Sequence, residues 1–147
     1  MTDGFETLLL NGLAVYLAAQ SVGTWKPTTA YTSGETAIVI GKIPQDPGRV
    51  IALNSYAVSD HASLSDSVRG VQIRTRWDSE DKRKVDDLDA LIFNLLHGKA
   101  WLRLTTGVLV VLSVRNSWAT LGQDANDRWS NVANYYMTCH RPSTNRT

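Results

Sequence analysis

Along Arg69–Trp77, Val71, Ile73, Thr75 and Trp77 alternate with Gln72, Arg74 and Arg76. Strand side chains point alternately to two faces, so this run reads as a strand with one apolar and one polar, charged face. Such a strand needs partners in a sheet and a cover for its apolar side. Two stretches of a different period supply the cover. Phe5, Leu8, Leu9, Leu13, Tyr16 and Leu17 recur at helical spacing, and so do Val85, Leu88, Ile92, Leu95 and Leu96.

The spacing predicts a first helix over Phe5–Gln20, opened by a capping box at Asp3 and Glu6 and stopped by Gly23. A second helix is expected over Glu80–Leu96, capped by Asp78 or Ser79 and ended by Gly98. Strand patterns fall at Thr36–Lys42, Val50–Val58, Val68–Trp77, Trp101–Thr105, Val108–Val114 and Ser130–His140. Ile43–Gly48, with two prolines and a glycine, reads as a turn, and Thr106-Gly107 as a hairpin tip. The order of elements points to an α+β fold, a mostly antiparallel sheet of about five to six strands with both helices packed on one face. One domain over residues 1–141 and a polar tail over 142–147 are expected. In the last strand Ala133, Tyr135, Met137 and Cys139 form the more apolar set and are assigned to the core.

Composition removes several classes of function. The 147 residues carry 15 Lys plus Arg against 14 Asp plus Glu, so no global field draws the chain to nucleic acid or membrane. Cys139 is the single cysteine, which rules out an intramolecular disulfide and disfavours a cysteine zinc site. Leu8–Ala19 is too short to span a bilayer, and Asp3 and Glu6 precede it where a signal peptide needs basic residues. A cytosolic site of synthesis is expected.

No catalytic constellation is visible, and neither a metal nor a cofactor is expected. Asp124, Asn126 and Asp127 resemble a calcium loop, but Arg128 and Trp129 stand where an EF-hand needs a ligand and a glycine. The favoured reading is a turn held by Asp and Asn side chains. His61, His97 and His140 lack ligand spacing, His97 falling in the last turn of the second helix. No Gly-x-Ser-x-Gly elbow or glycine-rich phosphate loop occurs.

The sites that remain are surfaces. Ala57–Ser67 reads as a polar loop longer than a tight hairpin needs, with Leu64 its one large apolar residue after Val58. Ser59, Asp60, His61 and Leu64 are its candidate partner-binding residues, because such residues concentrate on loops held by a scaffold. Arg74 and Arg76 would add the charged part of the same contact, binding carboxylates of a partner subunit. Trp25, Trp118 and Trp129 fall in or beside predicted loops, where aromatic side chains anchor protein contacts or fold back on the sheet. Trp129 joins the candidate interface.

The order of these pieces resembles the tail terminator family of long-tailed bacteriophages, also labelled minor capsid or tail-completion proteins. The resemblance spans Phe5–Arg141. It is carried by the apolar first helix, Ile43-Pro44-Gln45-Asp46-Pro47 leading into Val50–Tyr56, Val71–Arg76, Leu95-Leu96-His97-Gly98, and Gly122-Gln123-Asp124 with Asn134-Tyr135-Tyr136. It implies a structural virion protein without enzymatic activity, a homo-hexameric ring on the tail tube protein that stops tube polymerisation and joins the tail to head-neck (stopper or connector) proteins. Viral DNA would pass through the lumen without sequence-specific binding, and no membrane would be involved. The place in the virion would be the neck, after assembly in the host cytoplasm. Alternatives left open are another neck component, a small hydrolase or transferase, and a single-strand nucleic-acid binder using Arg74, Arg76 and Trp77.

Overall fold

A computed structural model describes residues 2–146. Helix α1 (Phe5–Ala19) precedes strands β1 (Thr24–Trp25), β2 (Thr36–Ile40), β3 (Arg49–Asp60) and β4 (Asp66–Arg76). Helix α2 (Lys82–Leu96) comes next, and strands β5 (Lys99–Arg103), β6 (Leu109–Gln123) and β7 (Trp129–His140) complete the fold. The strands make one sheet in the order β1-β2-β3-β4-β7-β6-β5. The α+β class is as expected, but the sheet has seven strands rather than five or six, and it is mixed. β1 with β2 and β2 with β3 pair in parallel; the other neighbours are antiparallel.

The parallel pair corrects the reading of Ile43–Gly48 as a simple turn between hairpin strands. This segment carries the chain back along β2, so that β3 starts level with the beginning of β2 at the pair Thr36–Arg49. Parallel neighbours require such a crossover. Pro44 and Pro47 lack the N–H groups a ladder would use, and the segment is tied down by arginines instead.

Both helices share one core. Leu9, Leu13 and Leu17 of α1 and Leu88, Ile92 and Leu96 of α2 join Ile51, Leu53, Val71, Ile73, Ala133 and Tyr135 in a single buried cluster. The assignment of Ala133, Tyr135, Met137 and Cys139 to the core holds, all four being buried. Helix α1 touches β1, β2 and β3 at one edge of the sheet. At the other edge the Thr106 hydroxyl, in the β5–β6 turn, donates to the Leu8 carbonyl at 2.6 Å. The sheet therefore curls round α1. Gly12 permits the approach, since a Cβ there would lie 2.7 Å from Leu104 Cβ.

The helix ends differ from expectation in their chemistry. Gly4, not Asp3, is the N-cap of α1, without a side-chain cap. Glu6 turns away to the strands, 3.5 Å from Arg69 Nε and 3.4 Å from Arg141 Nη1. At the far end the left-handed turn is made by Ser21 (φ 62). Helix α2 is capped by Asp81, whose carboxylate accepts from the Arg83 N–H at 3.1 Å. Gly98 (φ 77) ends that helix as the sequence indicates.

Two ribbons run past the core, and both are longer than the sequence pattern indicates. β3 and β4 stay paired to Asp60 and Ser67, so most of Ala57–Ser67 is strand and only His61–Ser65 connects. β6 continues nine residues beyond the expected end at Val114, to Gln123. Its ladder with β7 is interrupted by three bulges, at Val111, Asn116 and Leu121. Each bulge puts one extra residue on β6 and swaps the faces of the residues after it. The alternation is reset every five residues, which hides the strand from a period-two reading.

Candidate interface surfaces

The face of the sheet away from the helices has no helical cover. Register places its side chains in rows across β3, β4, β7 and β6. Val50, Arg76, Ser130 and Gly122 make one row, and Ala52, Arg74, Val132 and Ala119 the next. Beyond these lie Asn54, Gln72, Asn134 and Ser117, then Tyr56, Gly70, Tyr136 and Val114. The surface grades from charged to amide to aromatic. Asn134 joins two rows, accepting from the Tyr56 hydroxyl at 3.0 Å and donating to Ser117 Oγ at 3.1 Å. The Tyr56 ring lies flat over Gly70, where a Cβ would meet its Cζ at 2.1 Å.

The two adjacent arginines of β4 have different fates. Arg76 is 7% exposed. Its Nε donates to the Gly48 carbonyl at 2.9 Å, and its Nη2 reaches the carbonyls of Pro44 at 2.8 Å, Pro47 at 2.9 Å and Gln45 at 3.3 Å. Arg128 Nη1 donates to Gln45 as well, at 2.9 Å. Arg76 thus holds the crossover against the sheet, and the reading of it as a free carboxylate receptor is corrected. Burial, and then the neighbouring charge of Arg128, lower its pKa. Arg74 is exposed and flanked by uncharged Ala52 and Val132, as a receptor requires. The nucleic-acid reading loses its aromatic member as well as Arg76, because Trp77 packs on the core beneath Arg49, whose guanidinium carbon is 4.4 Å from the ring centre.

Ser59, Asp60, His61 and Leu64 lie together at the tip of the β3–β4 ribbon, all exposed. Leu64 is 59% exposed. His61 shapes the connection, its Nδ1 accepting from the N–H groups of Ser63 and Leu64, each at 3.2 Å. Asp60 is engaged locally by Ser67 Oγ and Arg69 Nη2, each at 2.6 Å. The Ser67 hydroxyl, and then Arg69, hold its carboxyl below the usual aspartate range. This tip and Arg74 stand at opposite ends of β4, about 30 Å apart at roughly 3.3 Å per residue. They are two surfaces, not the single contact expected. Residues 142–146 return towards the same end, Arg146 Nη2 donating to Ser67 Oγ at 2.9 Å.

Trp129 and Trp118 lie on strands and point to the helix side. Trp129 Nε1 donates to the Glu80 carbonyl at 2.7 Å, fastening β7 to the start of α2. Trp118 Nε1 donates to Asp89 Oδ2 at 3.1 Å. Asp89 is a buried acid that the sequence reading misses. It also accepts from Asn131 Nδ2 at 2.6 Å and Thr75 Oγ1 at 2.8 Å, joining α2 to β4, β6 and β7. Burial pushes its pKa up against the pull of those three donors. The available signal is its place one turn after Val85, on the apolar stripe. A cavity of about 280 Å³ opens beside it, lined by Asp86, Ala90, Phe93, Arg115 and Trp118. Both oxygens of Asp89 accept from side chains of the sheet, Oδ1 from Thr75 and Oδ2 from Trp118 and Asn131, so the arrangement is a strut between α2 and the sheet. The Asp124 loop behaves as expected, Oδ1 accepting from the N–H groups of Asn126 at 2.9 Å and Arg128 at 3.0 Å. Burial pushes the Cys139 thiol up to about 12, which keeps it unreactive.

Among solved structures, a chain of the "Virion of native gene transfer agent (GTA) particle" has a similar fold. The TM-score is 0.62 at 16% identity, over 92% of this chain and 98% of that one. No curated protein matches the sequence. The family model described as "Bacteriophage tail terminator protein" matches residues 16–141, from the last turn of α1 to the end of β7. The chain belongs to the bacteriophage tail terminator protein family.

Proposed function

We propose that the chain closes into a six-fold ring on the end of a phage tail tube, stops tube growth and joins the tail to the neck of the head. The observation that carries this reading is the family match across residues 16–141, which spans the whole sheet and α2. The ring adds to the tube end without offering a surface for further tube protein, so termination is geometric. A head-to-tail contact between distinct flanks closes into a ring when its rotation allows. DNA passes through the lumen without sequence-specific contact. In this reading the tip bearing Ser59, Asp60, His61 and Leu64 meets the tube or a neighbouring subunit, with Leu64 as its apolar anchor. No catalysis is assigned. The test is tail assembly without this protein, imaged by negative stain, alongside mass measurement of the neck complex. Overlong tails and six copies per particle are expected; tails of normal length without it, or another stoichiometry, overturn the reading.

A further inference from the structure

Beside Arg74 the open face holds a groove of about 480 Å³ between the Gly41–Gln45 segment and strands β3, β4 and β7. Its lining includes four cations, Lys42, Arg74, Arg76 and Arg128, against the single carboxylate of Asp124. Arg128 Nε is paired with that carboxylate at 2.8 Å, and Arg76 is spent on the carbonyls of the crossover. Lys42 and Arg74 are exposed, and among the described residues neither has an acid within salt-bridge reach. On its own strand Arg74 has Gln72 and Arg76 as same-face neighbours, so nothing local offsets its charge. The floor is polar: Asn54 and Gln72 are half-buried there, and no hydrogen bond within the described residues uses the Gln72 amide.

We infer that this groove receives the carboxylates of an acidic segment of a partner protein, with Arg74 and Lys42 as the cations that meet them. Arg74 presents the planar fork that pairs with a carboxylate through two hydrogen bonds, and the Gln72 side-chain amide can donate to the segment's backbone carbonyls, whereas Asn54 Nδ2 already donates to the Gly41 carbonyl at 3.3 Å. Arg76 and Arg128 shape the wall and contribute fixed positive charge behind it. Nucleic acid fits less well, because two free cations are few beside the roughly 6–10 phosphate contacts of a typical DNA binder. The choice of a protein rests on the assembly reading proposed above.

The test uses the isolated full chain and a fluorescein-labelled decaglutamate peptide, with binding read by anisotropy at low salt. The Lys42→Gln/Arg74→Gln variant is expected to bind at least about tenfold more weakly, and Arg74→Lys to fall between, since it keeps the charge and loses the fork. Arg83→Gln, on α2, is expected to bind as the natural chain does. Absence of binding, or equal loss in Arg83→Gln, overturns the inference. Tighter binding of a 20-base-pair duplex that depends on Lys42 and Arg74 overturns it in favour of nucleic acid. Since binding is read on the isolated chain, its failure is separate from any failure of ring formation or of tail-length control.

Discussion

On the helix side of the sheet, Ile51, Leu53, Val71, Ile73, Ala133 and Tyr135 are closed off from solvent by two helices. On the other side the same three strands present Asn54, Gln72, Arg74, Asn134 and Tyr136. The first face is held by exclusion of water and the second by cross-strand contacts, with Arg76 and Arg128 pinning a loop. The difference shows where substitution is tolerated. A chain that must dock with other proteins can vary its open face without loosening the core, because the two sets of side chains touch different neighbours.

The largest test of that contrast is a pair of adjacent residues. Ile73→Ala, in the core, is expected to cost about 2–5 kcal/mol in urea unfolding, whereas Gln72→Ala should stay within about 0.5 kcal/mol. Similar costs would mean that the open face is covered in the free chain. Next comes the arginine pair. Arg76→Ala leaves the carbonyls of Pro44, Pro47 and Gly48 without their donor, Gln45 keeping Arg128, and should cost about 2–3 kcal/mol, against about 0.5 kcal/mol or less for Arg74→Ala. Near-equal values would break the distinction between strut and receptor.

A smaller effect is expected at Gly70. Alanine there pushes into the Tyr56 ring, and because that ring is partly exposed and can swing aside, the cost should be near 1 kcal/mol. In a Tyr56→Ala background the penalty should vanish, a coupling readable from the four variants. The smallest effect is a slope. Asp89 has a raised pKa, so its contribution to stability is fully present below the ordinary value of 3.8 and is lost as pH rises through its folded value. Asp86, Arg115, Thr75, Trp118 and Asn131 surround it from α2 and the three strands. Asp89→Asn can keep all three contacts with its amide nitrogen towards Thr75. The difference in stability between the natural chain and this variant should grow more unfavourable to the natural chain as pH rises above 3.8. A flat difference would show that the three donors fully offset burial.

Much of the covered face is legible in the sequence, because burial imposes a period. The stripes of α1 and α2, the alternation in β4 and the core set of β7 all come from one side being apolar. The open face and the ribbons are not legible. Residues 57–60 of β3 are exposed, so pairing there is carried by the backbone and leaves no apolar signature. The bulges at Val111, Asn116 and Leu121 erase the alternation of β6. Arg74 and Arg76 share a face and a charge, and only the path of the crossover separates their roles. Asp89 stands out only as an acid on an apolar stripe, and two of its donors come from strands 14 and 42 residues away.

The bulges of β6 have a consequence for traffic between molecules. Beyond Ser113 this strand has, among the described residues, no strand partner on its β5 side, the Arg115 N–H alone being taken by His97 Nδ1 at 3.0 Å, and a long unpaired edge is an invitation to any other strand in an extended conformation. Here no run of regular ladder longer than four residues survives between bulges. An incoming strand would find its donors and acceptors in step only briefly before the next kink carried them out of line. Copies of the chain brought close together would thereby be kept from zipping edge to edge.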